Sequence, residues 1–237
     1  MENYILQTDS LTKTYRRQTA VDGISLAVPR CSVYGLLGPN GAGKSTTLKM
    51  LTGIVRPDSG QVFYNGKEWN RRVLDETGAL IESPPLYGNL TADENLKVRC
   101  LALGLPEKRI DEALHTSGLA DTGKKKTRQF SMGMKQRLGI ALALLNHPKL
   151  LILDEPANGL DPSGIQELRE LIRSFPQRGI TVILSSHILS EVENTADEIG
   201  IIVNGRLGYQ GPLPESSESL ETLFMKTVKA ERIREVQ

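Results

Sequence analysis

A glycine-rich segment that ends in a lysine and a serine is the first group of residues with recognisable chemistry. The stretch GLLGPNGAGKSTTLKML contains the spacing G-x-x-x-x-G-K-S, with Gly38, Gly43, Lys44 and Ser45 at the fixed positions. An apolar stretch precedes it and a periodic one follows, which is the strand–loop–helix context of a phosphate-binding loop. Glycines let backbone amides approach phosphate oxygens, Lys44 supplies a positive charge, and Ser45 supplies an oxygen for Mg²⁺. The nucleotide contacts predicted in this phosphate loop are Gly38, Pro39, Asn40, Gly41, Ala42, Gly43, Lys44, Ser45 and Thr46.

Two adjacent carboxylates follow the apolar run LLIL, at Asp154 and Glu155. Successive residues of a strand point to opposite faces, so the two carboxylates can face different ligands. We expect Asp154 to bind Mg²⁺ and Glu155 to act as general base on a water molecule beside the terminal phosphate. Two solvated acids at a strand end are the alternative, which the nearby phosphate loop disfavours.

A histidine and an aspartate stand at two further element ends. TVILSSH places His187 after a predicted strand, and parallel strands carry their carboxyl ends to one edge of a sheet, where ligands bind. His187 is therefore predicted to hydrogen-bond the terminal phosphate, with a buried structural histidine as the alternative. Asp161 before Pro162 is typical of a helix N-cap, which does not exclude a second role. The 3 histidines are scattered and H-E-x-x-H is absent, so no zinc site is predicted.

The elements that must position these residues alternate between strands and helices. YILQTDSL, GISLAV and SVYGLLG predict strands, and Asn65-Gly66 predicts a hairpin turn. A capping box from Thr91 to Glu94 opens a mainly helical region that lasts to about Leu145. After it, LLILDE, TVILSS and IGIIVNGRL predict strands separated by helices, which indicates a largely parallel sheet.

This order predicts an α/β fold with a P-loop NTPase core, in which helices flank a mainly parallel sheet. An N-terminal antiparallel β subdomain and an inserted α-helical subdomain complete it. We expect one domain over residues 1–237. Its parts are the α/β core with the β subdomain (1–81 and 146–210), the helical subdomain (82–145) and a C-terminal helical tail (211–237).

Composition argues against several other classes of protein. The 237 residues include 29 basic and 28 acidic ones, a net charge of +1, which argues against nucleic-acid binding driven by bulk electrostatics. Cys31 and Cys100 are predicted to be unrelated reduced thiols. The first residues lack the charged and apolar regions of a signal peptide, and no apolar run approaches the length of a membrane span. We therefore expect a cytoplasmic protein.

Taken together and in this order, the motifs resemble the nucleotide-binding subunit of an ABC transporter over nearly the whole chain. The resemblance implies ATP and Mg²⁺ as ligands and identifies FSMGMKQR as the signature segment, usually L-S-G-G-Q. Two subunits of that family pair head to tail, so Ser131 and Gly133 would meet the ATP of the other subunit. The loop ANGLDP would cross the dimer at Asp161. Met132 replaces the first family glycine and Met134 replaces the glutamine.

Two more positions take a role from the resemblance. Tyr15 would stack on adenine, with an ordinary surface tyrosine as the alternative. Glu82 stands where the loop that couples ATP to the membrane partner normally has a glutamine, and we expect it near Mg²⁺ as a metal ligand. A solvent-facing acid before Pro84-Pro85 is the alternative. Glu82 and the segment F-S-x-G-M-K-Q-R-L-G-I are similar to the ATPases of lantibiotic-immunity exporters, and related exporters of the bacitracin type have similar segments.

The resemblance thus implies an ATPase subunit that drives export of a lantibiotic or similar peptide. We expect a homodimer bound to integral membrane permease subunits at the inner face of the cell membrane, with no nucleic-acid partner. One alternative is a soluble ABC-type ATPase that acts on nucleic acid or ribosomes, and another is an exporter of a different substrate such as bacitracin. A P-loop GTPase is disfavoured because the sequence has no N-K-x-D motif.

Overall fold

The computed structural model describes residues 3–214 and 219–236. The strands are β1 (Tyr4–Tyr15), β2 (Gln18–Ile24), β3 (Ala27–Pro29), β4 (Val33–Leu37), β5 (Ser59–Tyr64), β6 (Lys67–Glu68), β7 (Thr77–Leu80), β8 (Leu150–Asp154), β9 (Thr181–Ser186), β10 (Glu198–Val203) and β11 (Arg206–Pro212). The helices are α1 (Lys44–Leu51), α2 (Ala92–Leu103), α3 (Lys108–Thr116), α4 (Met132–Leu144), α5 (Pro162–Ser174), α6 (Leu189–Glu193) and α7 (Leu220–Val236).

The main sheet has the strand order β11-β10-β4-β9-β8-β7, and its pairs from β10 to β7 are parallel. Only β11 pairs antiparallel with its neighbour in this sheet. Strands β4, β8 and β9 are buried along their whole length, as the continuous apolar runs of parallel strands require. Their carboxyl ends therefore deliver the phosphate loop, Asp154 and His187 to one edge of the sheet.

The second sheet is antiparallel, with β2, β1, β5 and β6 in order and β3 on β1, as predicted for the N-terminal part. The prediction of one strand over GISLAV is wrong, because β2 ends at Ile24 and β3 begins at Ala27. The Thr8 hydroxyl fills this break: it donates to the Ile24 carbonyl at 2.9 Å and accepts from the Leu26 amide at 2.7 Å. A side chain on the neighbouring strand thus replaces two backbone ladder bonds.

Helices α2, α3 and α4 form a lobe with its own buried core, which includes Leu96, Leu114, Phe130 and Leu138. The predicted capping box starts α2: the Glu94 amide donates to the Thr91 hydroxyl, and the Thr91 amide donates to the Glu94 carboxylate. Helix α4 also packs on the main sheet, because Ile140 and Leu144 belong to the sheet's core. The subdomain boundaries at residues 82 and 145 stay a prediction.

Helix α7 packs its apolar positions against the main sheet, with Leu220 and Val228 buried there. The spacing of Leu220, Leu223, Phe224 and Val228 agrees with this helix, and the division of the chain at residue 211 stays a prediction. In residues 3–214 and 219–236, no helix has both the length and the apolar character needed to cross a bilayer.

Candidate nucleotide-binding site

The phosphate loop connects the end of β4 to the start of α1, and its backbone requires glycine. Gly41 has φ 79° and Gly43, the N-cap of α1, has φ 107°, both in the left-handed region. A Cβ at Gly43 would collide with the Ala20 carbonyl oxygen, and one at Gly38 would collide with the Ile202 carbonyl oxygen. The loop is thus held close to its neighbours, and the amino end of α1 faces the place where an anion would lie.

Lys44 is the buried cation of this loop, with 5% of its side chain exposed. Its Nζ donates to the carbonyl oxygens of Gly38 at 2.8 Å and Pro39 at 3.3 Å, and it lies 3.2 Å from Glu155 Oε1. A buried ammonium needs such acceptors because its desolvation costs several kcal/mol. Phosphate oxygens of a bound nucleotide could take the place of these acceptors.

Ser45 and Asp154 lie together, as the sequence predicts. The Ser45 hydroxyl donates to Asp154 Oδ1 at 3.1 Å, and the Ser185 hydroxyl donates to the same oxygen at 2.6 Å. Asp154 is 4% exposed, so these hydrogen bonds replace its lost water. Ser185, which sequence patterns alone do not reveal, also accepts from the Glu155 amide at 2.9 Å and so fixes both acids.

The donor set of Ser45 and Asp154 fits Mg²⁺. This ion prefers oxygen ligands and is usually held by one or two carboxylates together with substrate phosphates and water. Within the described ranges, no cluster of three or more His, Cys, Asp or Glu side chains is arranged to hold a metal ion. Two protein oxygens beside the phosphate loop therefore match a magnesium–nucleotide site and differ from an all-protein metal cage.

Glu155 reaches the site through a sharp turn. Strand β8 ends at Asp154, and Glu155 follows it with φ 48°, in the left-handed region. The two acids therefore do not alternate on one strand, and the expectation that they point to opposite faces of the sheet does not apply. The carboxylate of Glu155 instead bridges two side chains, with Oε1 near Lys44 and Oε2 2.8 Å from His187 Nδ1. The structure thus brings together the predicted base, the predicted phosphate ligand and the loop lysine; their roles stay predictions.

Ser131, Gly133 and Asp161 lie on a separate surface. Ser131 caps α4 by accepting from the Met134 amide at 3.2 Å, and Asp161 caps α5 by accepting from the Gly164 amide at 2.8 Å. All three predicted residues line one cleft of about 330 Å³, and no phosphate-loop residue appears among the described residues that line it. In a single chain, the signature segment therefore does not complete the site around Lys44.

Met132 is 53% exposed at this cleft and lies 3.8 Å from the position of a Cβ on Gly159. Tyr15, at the end of β1, is 45% exposed, and the Lys13 ammonium lies 5.6 Å from its ring centroid. An accessible aromatic face is what stacking on a purine requires, so the predicted adenine contact stays open to test.

Glu82 lies just after β7 with φ 63°, and its Oε1 is 2.6 Å from Lys49 Nζ. The Glu82 side chain is 68% exposed, and the Lys49 hydrogen bond lowers the pKa of its carboxyl. Lys49 follows Ser45 by one turn of α1, which places both on the same face of the helix. The structure therefore links Glu82 through Lys49 to the helix that carries Ser45, and the sequence motifs did not single out Lys49; direct metal binding by Glu82 stays a prediction.

The family described as ABC transporter matches residues 21–158, which include the phosphate loop, Asp154 and Glu155. The chain belongs to the ABC transporter family. The lantibiotic transport ATP-binding protein SrtF of Streptococcus pyogenes is 50% identical over 230 residues, which are 97% of this chain and 100% of that protein. The bacitracin transport ATP-binding protein BcrA of Bacillus licheniformis is 49% identical over 208 residues, 86% of this chain and 68% of that protein.

Among solved structures, cbiO1 of Clostridium perfringens, described as part of the ABC transporter complex cbiONQ, superposes with a TM-score of 0.84. Its sequence is 31% identical, and the match covers 99% of each chain. The predicted family and α/β fold class are confirmed, and the chain is an ATP-binding subunit that hydrolyses ATP.

Proposed function

We propose that this ATPase subunit drives the export of a lantibiotic or a similar antimicrobial peptide through separate membrane subunits. The observation that carries the ATPase part is the cluster of Lys44, Glu155 and His187 beside the Ser45–Asp154 pair. The similarity to SrtF over that protein's full length supports the peptide substrate. A bacitracin-type exporter is the second candidate, supported by the nearly equal identity to BcrA over two thirds of that protein.

Nucleotide binding begins with the exchange of Lys44 partners. The loop amides and the amino end of α1 bind the phosphates, and the Lys44 ammonium moves from Glu155 and its own loop carbonyls to phosphate oxygens. Ser45 and Asp154 would hold Mg²⁺, which would supply positive charge beside the phosphate oxygens. Tyr15 stacks on the adenine ring.

Release of Lys44 leaves the Glu155 carboxylate able to accept a proton from the attacking water. His187 Nδ1 lies 2.8 Å from Glu155 Oε2 and orients the base, and the imidazolium form, in which both ring nitrogens donate, would also donate to the terminal phosphate. The two side chains have different roles. Glu155 accepts the proton, and His187 stabilises the negative charge that develops on the phosphate.

Two copies of the chain would pair head to tail. The cleft with Ser131, Gly133 and Asp161 has no lining residue from the described phosphate loop, so each site would take these groups from the partner. Closure of the pair would move the membrane subunits, which would hold the ATPase at the inner face of the membrane. Glu82, exposed at the edge of the site, would report the nucleotide state to them.

The test combines the purified chain with cells. The purified protein should hydrolyse ATP with Mg²⁺, and cells with Glu155→Gln at the native gene should lose tolerance to a panel of lantibiotics, whereas Glu193→Gln cells should keep it. Loss of tolerance to bacitracin alone would favour the second candidate. Unchanged tolerance to both in Glu155→Gln cells, at matched expression, would refute the exporter proposal.

A further inference from the structure

Glu191 is a carboxylate behind the site that none of the roles above uses. It lies in the short helix α6, and its Oε2 accepts a hydrogen bond from the Ser186 hydroxyl at 3.1 Å. The Ser186 oxygen in turn accepts from the Ile188 amide at 3.0 Å. These two bonds close a turn between Ser186 and Ile188, and the residue inside that turn is His187.

The turn sets the position of the His187 ring, and this position matters because the ring has a close partner in Glu155. Its Nδ1 lies 2.8 Å from Glu155 Oε2, at hydrogen-bond distance. A shift of the backbone by about 1 Å is enough to misalign reacting groups and lower a rate by up to 100-fold. The chain Glu191–Ser186–Ile188 therefore sets how His187 meets Glu155.

The second oxygen of Glu191 faces helix α5. Within the described residues, Glu191 Oε1 and Arg169 Nε are both buried without a hydrogen-bond partner. Both residues line a cavity of about 20 Å³, which has room for one water molecule. Among the described residues that line this cavity, the others are apolar except Thr195, so Glu191 and Arg169 are the charged groups that share it. Arg169 belongs to the helix that Asp161 caps, so Glu191 lies between the His187 turn and α5.

The electrostatic setting agrees with this placement. Burial raises the pKa of the Glu191 carboxyl, as does the negative charge of Glu155, while the Ser186 hydrogen bond and the charges of His187 and Arg169 lower it. Burial of the Glu191 carboxyl lowers the stability of the fold. The reason for a carboxyl at this position therefore lies in its contacts with polar neighbours and not in core packing.

We propose that Glu191 is a positioning residue for ATP hydrolysis, which holds the turn that carries His187 from a cavity that it shares with Arg169 of helix α5. The inference rests on the proposed roles of Glu155 and His187. It implies that a change at Glu191 acts on the chemical step and leaves nucleotide binding intact, because its hydrogen-bond partner Ser186 and its cavity neighbours in the described part of the chain lie outside the phosphate loop.

The experiment compares the full chain with Glu191→Ala, Glu191→Gln, Ser186→Ala and the double variant Ser186→Ala/Glu191→Ala. Glu193→Ala, an exposed acid on the same helix, is the matched control and should behave as the parent. Glu191→Ala should lower kcat by about 10- to 100-fold and leave ATP affinity within about twofold. Glu191→Gln keeps an acceptor oxygen for Ser186 and should recover part of kcat. The double variant should be no slower than Ser186→Ala, because both changes break one network.

Parental kcat in Glu191→Ala, with His187→Ala inactive, would overturn the inference and leave the ATPase function standing. Additive losses in the double variant would also overturn it. A parent that hydrolyses no ATP would overturn both the inference and the proposed function. If Glu191→Ala does not fold, as thermal unfolding would show, Glu191→Gln and Ser186→Ala carry the same test: parental kcat in both variants would refute it.

Discussion

Glu155→Gln is the substitution that separates binding from hydrolysis most sharply. It keeps the shape of the side chain and one acceptor oxygen, and it removes the charge that lies between Lys44 and His187. In the structure, the Glu155 carboxylate lies 3.2 Å from the Lys44 ammonium. The change therefore removes the proton acceptor and also a competitor for the cation that binds phosphate.

The two effects have different sizes. A general base contributes a factor of about 100 to 10,000 in rate, so kcat should fall by that amount, about 3 to 5 kcal/mol in activation free energy. A hydrogen bond between charged groups contributes about 1.5–3 kcal/mol. Lys44 keeps its carbonyl acceptors at 2.8 and 3.3 Å in the variant, so only part of this interaction energy adds to the free energy of ATP binding. ATP affinity should stay equal or rise by up to about tenfold, which is 1.4 kcal/mol.

Titration with a fluorescent ATP analogue in the presence of Mg²⁺ measures affinity, and phosphate release measures turnover. Gel filtration with ATP and Mg²⁺ should show a dimer peak for Glu155→Gln, because ATP accumulates in the closed pair. Glu193→Gln is the matched control for loss of a negative charge. Hydrolysis at the parental rate would remove Glu155 from its role, and an affinity below that of the parent would refute the competition for Lys44.

The remaining predictions concern three other side chains. Lys44→Ala removes the ammonium of the phosphate loop and should weaken ATP binding by about 10- to 100-fold; an unchanged affinity in the same titration would count against the site. Glu82→Ala should leave ATP affinity nearly unchanged and strongly lower peptide tolerance in cells, and Glu82→Gln should be milder because one acceptor oxygen survives. If Glu82→Ala cells at matched expression tolerate the peptide as the parent does, Glu82 is not the coupling residue. Because the folded state raises the pKa of Glu191, its ionisation costs stability at pH 7, and this cost disappears as the pH falls below the reference value of 4.5. The free energy of unfolding of Glu191→Gln minus that of the parent should therefore be larger at pH 7 than at pH 4. Urea unfolding at both pH values measures this difference, and a pH-independent difference would contradict the argument.

Much of the site is predictable from sequence because its geometry is local. The phosphate loop needs left-handed glycine at Gly43, and the motif records that need directly. The capping box at Thr91 and the Asp161–Pro162 helix start are likewise encoded within a few residues. Strand β7 is different: it has only 4 residues, too few for a periodic pattern, and it lies at the sheet edge, paired with β8 and packed against Ala143 of α4.

Contacts between distant residues are the part that sequence patterns miss. Ser185 reaches Asp154 across 31 residues, and Lys49 reaches Glu82 across 33, so neither pair has a spacing that a motif could record. Thr8 interrupts the strand expected over GISLAV from 18 residues away. In each case a polar side chain meets a requirement created only when the sheets assemble, so the need exists in the folded state and not in the local sequence.

The same reasoning explains why the motif residues contact one another. Lys44 is buried by the fold and needs acceptors, and Glu155, turned out of β8 at φ 48°, supplies one of them. The Glu155 carboxylate thus stabilises the Lys44 ammonium, and we expect this contact to last until phosphate oxygens take over Lys44. His187 on the far side of Glu155 keeps the carboxylate in place when that exchange happens. We therefore expect phosphate binding to free the Glu155 carboxylate when the substrate is present, which would link occupancy of the loop to hydrolysis.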